Sequence, residues 1–82
     1  MGSSLNKMEL KKFIANFAEQ FEETEVSEFK ANTVFKDLEE WSSLTALLVI
    51  AMVDEEYDKQ LKGEDIMKSN TIEDLYNLIL NR

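Results

Sequence analysis

Ser43-Leu44-Thr45-Ala46-Leu47-Leu48-Val49-Ile50-Ala51-Met52-Val53 is an apolar run that ends abruptly in Asp54-Glu55-Glu56-Tyr57-Asp58. Gly is 2 and Pro is 0 in the whole chain, so few breakers interrupt it. It reads as a helix that starts at Ser42 or Ser43 and runs to about Lys59. Ser is a preferred N-cap residue because its hydroxyl accepts an unpaired N–H of the first turn. Two apolar rows can be traced on this helix. One holds Ala46, Val49, Ile50, Val53 and Tyr57 and continues toward Leu61. It stays apolar to the helix end and is assigned to the core. The other holds Leu44, Leu47, Leu48 and Ala51 and then meets Asp54 and Glu55. That row is expected to be an exposed apolar patch with an acidic lower edge, a pattern that marks partner sites.

Outward from this helix the remaining elements follow. Leu10, Phe13, Ile14, Phe17 and Phe21 repeat at helical spacing and predict a first helix over residues 6–21. Residues 1–5 are set aside as a disordered end or tag remnant, leaving 6–82 as a single domain. Residues 22–42 have no sustained period and read as a long loop, pinned to the core by Val26, Phe29, Val34, Phe35 and Leu38. Gly63 is expected to end a turn, with a short helix over residues 64–68 beyond it. Thr71 with Asp74, or Asn70 with Glu73, suits a capping box for a last helix carrying Ile72, Leu75, Tyr76 and Ile79. No segment reads as a strand. The fold class is all-α, a small four-helix bundle of three longer helices and one short one.

Composition narrows the function. The chain has 82 residues and 44% hydrophobic content, enough for one small core. Net charge is −8, from 17 acids against 9 bases. Nucleic acid and anionic membrane need Lys and Arg against phosphate, so both are excluded as partners. Basic protein surfaces fit instead. Leu44 to Val53 is too short to span a bilayer, and no signal peptide is visible, so a cytoplasmic monomer is expected. His is 0 and Cys is 0, which removes the commonest general base and the strongest nucleophile. The chain does not read as an enzyme. Asp54, Glu55, Asp58, Glu64 and Asp65 are oxygen ligands, but their spacing fails the EF-hand rule and no metal site is assigned.

Phe35-Lys36-Asp37-Leu38-Glu39-Glu40-Trp41-Ser42-Ser43-Leu44 leads into the apolar helix, and Asp54-Glu55-Glu56-Tyr57 closes it. Phe35, Asp37-Leu38, the Ser43-Leu44 pair and this acidic-aromatic block resemble the acyl carrier protein family. Leu61, Ile72 and Ile79 fall where that family has apolar core residues. The resemblance runs from about Phe13 to Ile79. It implies that Ser43 carries 4′-phosphopantetheine through a phosphodiester, added by a separate phosphopantetheinyl transferase. Acyl groups would then ride as thioesters on the arm, presented to acyl-transferring and acyl-modifying enzymes of fatty-acid, lipid or polyketide biosynthesis through basic docking patches. Leu44, Leu47, Leu48 and Ala51 would form the docking surface. Asp37, Glu39, Glu40, Asp54, Glu55 and Asp58 would form its acidic frame. Phe35, Ile50, Val53, Tyr57, Leu61 and Ile79 would line an acyl pocket. Two positions depart from the family pattern. Ser42 replaces the Asp before the serine, and Leu48 replaces an acid within the helix. Together with Trp41 they imply a specialised carrier. The alternative reading is an acidic helical adaptor for a basic partner, with Ser43 as an ordinary cap and no prosthetic group.

Overall fold

A computed structural model describes residues 2–81, with side chains from Glu9 onward. Met1, part of the end set aside above, lies outside the described residues. The elements are α1 (Gly2–Ala18), α2 (Ser43–Tyr57), α3 (Gly63–Lys68) and α4 (Ile72–Leu80). Two short 3-10 turns, Val26–Glu28 and Phe35–Asp37, sit in the loop between α1 and α2. Three longer helices and one short one form the bundle, as the periodicity indicates.

Aromatic packing explains why the pieces meet. All eight aromatic side chains belong to one connected set of ring contacts. Phe13 and Phe17 of α1 are its hubs and are fully buried. Phe13 reaches Tyr57 of α2 and Tyr76 of α4, at 5.8 Å and 5.5 Å between centroids. Phe17 reaches Phe29, Phe35 and Trp41 of the long loop. Each buried ring removes a large apolar area from water, and tilted pairs at these separations add attraction beyond area.

Several boundaries differ from those read in the sequence. The first helix begins at Gly2 and ends at Ala18, not over 6–21. The chain then tightens, with Gln20 N–H donating to Phe17 C=O and Phe21 N–H to Ala18 C=O. Phe21 is therefore buried from a turn, where its ring stacks on Phe17. Gly63 opens α3 rather than ending a turn. The loop is pinned by Phe29 and Phe35, whereas Val26 and Val34 are 72% and 40% exposed. Val34 pairs its backbone with Thr71 in an isolated bridge, so main-chain bonding holds it and not burial of its side chain.

That bridge completes the start of α4. Thr71 N–H donates to Asp74 Oδ2 at 3.1 Å, and Asp74 N–H to Thr71 Oγ1 at 3.1 Å. The loop supplies the rest: Ile72 N–H reaches Thr33 C=O at 3.1 Å, and Glu73 N–H reaches Ala31 C=O at 2.9 Å. A helix leaves four N–H groups unpaired at its start, and here all four are paired. No described helix is long and apolar enough to cross a membrane.

Candidate functional site

The start of α2 is built by Trp41 and Ser42 before it and Thr45 within it. Trp41 packs edge-on to Phe35 at 4.9 Å and stacks near Phe17 and Phe21. Its backbone N–H closes a turn on Leu38 C=O. This fixes where the chain turns upward. Ser42 is the N-cap in extended backbone. Its N–H donates to Thr45 Oγ1 at 2.7 Å, and Thr45 N–H points at Ser42 Oγ at 3.4 Å. The Thr45 hydroxyl also donates to Ser42 C=O at 2.9 Å. Thr45 is buried, although it interrupts an apolar run in the sequence.

Ser43 is therefore the first residue of α2, exposed, with Ser42 as the cap. Its hydroxyl bonds to no described residue. The N–H groups of Ser43 and Leu44 likewise have no acceptor among the described residues. They face solvent at the positive end of the helix dipole. Two free donors and a free hydroxyl fit a phosphate ester at Ser43.

The two rows of α2 separate largely as expected. Leu44, Leu47 and Leu48 are 65%, 61% and 40% exposed, and Ala51 is exposed. Val49 and Val53 are fully buried, while Ala46, Ile50 and Tyr57 are only half-buried. Met52 and Thr45 are also buried, although neither lies on the row expected to face the core. The core face is thus rotated slightly from the row traced by periodicity.

The acidic residues differ in their surroundings. Asp54, Glu55 and Asp58 are exposed along the end of α2. Asp58 is the C-cap in left-handed backbone, φ 56°, and its N–H donates to Asp54 C=O. Asp37 lies exposed in the second 3-10 turn. Glu39 and Glu40 instead border a cleft of about 490 Å³ with Glu23, Glu25 and Glu28. Glu40 is turned onto the chain itself. Its carboxylate accepts from the N–H groups of Glu22, Glu23 and Thr24 and from the Thr24 hydroxyl. The Thr24 hydroxyl, then the Glu22 N–H, hold this carboxyl below the usual glutamate range.

The six residues expected around an acyl pocket are divided. Tyr57 and Ile79 border a cavity of about 250 Å³ between α1, α2 and α4, with Phe13, Asn16 and Tyr76. Ile50 and Leu61 border another of about 240 Å³ with Leu47, Ala51, Asp54 and Gln60. Phe35 and Val53 are fully buried in packed core. Tyr57 keeps its polar end satisfied, because Asn16 Nδ2 donates to its hydroxyl at 3.2 Å, and burial pushes its pKa up.

The pairing of Glu40 with Thr24, and of Thr45 with the cap, is not expected from the sequence. Only Thr45 left a signal, a hydroxyl residue three places after Ser42.

The family model described as a phosphopantetheine attachment site matches residues 11–79. No curated protein and no solved structure matches the chain.

Proposed function

The chain belongs to the phosphopantetheine attachment-site family, and from that membership we propose that Ser43 is the residue that bears the group. Its position carries the reading. Ser43 opens a long helix with a free hydroxyl, beside two main-chain N–H groups that have no acceptor among the described residues. A phosphate attached there meets donors and a favourable dipole without displacing any existing hydrogen bond. Ser42 is a poorer candidate, since its N–H and hydroxyl oxygen are engaged with Thr45. The family match also favours a carrier over an adaptor without a prosthetic group.

When bound, 4′-phosphopantetheine supplies a terminal thiol, which this cysteine-free chain otherwise lacks. The chain's own residues then anchor the arm and present a surface. The exposed row Leu44, Leu47, Leu48 and Ala51 serves as the docking surface, with Asp54, Glu55 and Asp58 at its lower edge. Between Asp37 and Asp58 there are seven acids and no base, which suits enzymes with basic docking patches. The protein acts as an acyl carrier, a cytoplasmic monomer serving enzymes of acyl-group biosynthesis.

The test is intact mass after incubation with coenzyme A and a broad-range phosphopantetheinyl transferase. Wild type and Ser42→Ala should each gain one phosphopantetheinyl group, and Ser43→Ala none. Labelling that persists in Ser43→Ala would sink the assignment.

A further inference from the structure

Glu40 makes more bonds than a solvated surface acid needs. Oε2 accepts from Glu22 N–H at 2.7 Å. Oε1 accepts from Glu23 N–H at 3.1 Å, from Thr24 N–H at 2.9 Å and from Thr24 Oγ1 at 2.7 Å. One carboxylate thus gathers three successive main-chain donors from the turn that follows α1. Hydrogen bonds to an ionised acceptor are shorter and stronger than neutral ones, so this is a firm fastening between remote stretches of chain.

The other end of Glu40 touches the start of α2. Its main-chain carbonyl lies 3.5 Å from Thr45 Oγ1, the hydroxyl that also serves Ser42. The next residue, Trp41, is wedged among Phe17, Phe21 and Phe35. The three residues before Ser43 are therefore held by a carboxylate, an indole and a cap in turn. Of these, the carboxylate alone fastens the segment to the turn beyond α1 through main-chain donors. Glu40 has no bond to Ser43 itself, so any influence on Ser43 passes through this segment.

We propose that Glu40 is a positioning residue for modification of Ser43: by holding the turn from Glu22 to Thr24 it fixes the segment that presents Ser43, with its two free N–H groups, to the transferase. The inference rests on Ser43 as the attachment residue. In the transfer step the Ser43 oxygen forms a bond to the phosphorus of coenzyme A that bears the pantetheine. The pyrophosphate P–O bond breaks, adenosine 3′,5′-bisphosphate leaves, and the hydroxyl proton passes to the transferase. Rate then depends on how well the oxygen is oriented before attack. A fixed segment raises that fraction without adding a contact to the partner.

The sequence placed Glu40 among docking acids, and kinetics separate the two roles. Initial rates are measured against carrier concentration with the transferase and coenzyme A, at a temperature where circular dichroism shows each variant folded. Glu40→Ala should lower kcat about tenfold through loss of orientation. KM for the carrier should stay within about twofold, since uniform binding is untouched. Glu40→Gln should recover part of kcat, because its amide oxygen still accepts from Thr24. Amide exchange should quicken at Glu22, Glu23 and Thr24 in Glu40→Ala and stay unchanged at Ile72 and Glu73. A kcat equal to wild type would overturn the proposal, and so would a raised KM with kcat intact, which marks a docking contact. Should Glu40→Ala not fold, Thr24→Val removes one donor and is judged by the same criteria, with a smaller fall in kcat. Labelling of Ser43→Ala, or none of wild type, would instead remove the reading on which this one rests.

Discussion

Helices α2 and α4 start with the same device and reach opposite states. Both have a hydroxyl N-cap that accepts from the third helical residue, which returns a side-chain oxygen to the cap's own N–H. At α4 the two N–H groups between are covered by carbonyls of the loop, Thr33 and Ala31. At α2 the corresponding groups, Ser43 and Leu44, meet no described acceptor. One end is closed by tertiary structure and the other is left open beside an exposed hydroxyl. A capping box alone therefore does not mark a site. What distinguishes α2 is that no described residue covers the N–H groups of its first turn, while Trp41 and Glu40 tie the preceding chain to α1 and to the turn after it.

The difference can be broken most forcefully at Trp41. Trp41→Ala should destabilise the fold by about 3 kcal/mol, since the indole packs on three rings but is only half-buried. It should also slow labelling of Ser43 while the amides at the start of α4 keep their protection from exchange. Thermal unfolding and amide exchange together check this. Equal loss of protection at Ile72 would mean that the two ends are not independent.

The caps themselves come next in size. Thr71→Ala should cost about 1 kcal/mol, as for other caps. Ser42→Ala should cost less, about 0.5 kcal/mol, because its contact to Thr45 N–H is long and Thr45 keeps its other bonds. Denaturant unfolding orders the two. A larger loss at Ser42 would contradict the picture of α2 as the more loosely closed end.

Acid acts on both ends through one carboxylate each. Glu40 is held below its usual range, by the Thr24 hydroxyl first, and Asp74 by the Thr71 N–H first. A carboxyl depressed in the folded state contributes stability that is present above its unfolded value and lost as pH falls through the folded one. Melting temperature should therefore drop as pH falls below the ordinary carboxylate range. Glu40→Gln and Asp74→Asn should each flatten that drop. A Glu40→Gln profile parallel to wild type would mean the carboxylate is not engaged in solution.

The smallest effect is expected on the open row beside Ser43. Leu47→Ala should change stability by no more than about 0.5 kcal/mol, because the side chain is mostly exposed. Productive docking with partner enzymes should weaken. A large fall in melting temperature would show that Leu47 belongs to the core.

Much of this was legible in the chain itself. Period 3.6 located α1, α2 and α4, since each buries a stripe against the aromatic core. Ser43 stood out because a serine opens an apolar helix that ends in acids. The sequence was less informative where main chain meets side chain over distance. Nothing in Glu40 signals that its donors are the backbone groups of Glu22, Glu23 and Thr24, so it read as one of the docking acids. Val34 is β-branched and looked like an anchor, yet its backbone does the bonding. On α2, Ala46 and Ile50 kept the apolar period, but Thr45 and Met52 took buried places. The threonine hydroxyl turns inward to close the cap, which periodicity in hydrophobicity does not record. The same blindness applies to the expected acyl pocket, whose members share apolar character but divide between two cavities and the packed core.

The open end of α2 is tested most directly by amide resonances before and after loading. The protein is labelled with nitrogen-15, and its spectrum is compared before and after incubation with coenzyme A and the transferase. The Ser43 and Leu44 amide protons should move furthest and to lower field, as donors newly bonded to a phosphate, while Ile72 and Glu73 stay in place. A loaded protein whose Ser43 and Leu44 amides do not move, or whose Ile72 and Glu73 amides move as much, would contradict it.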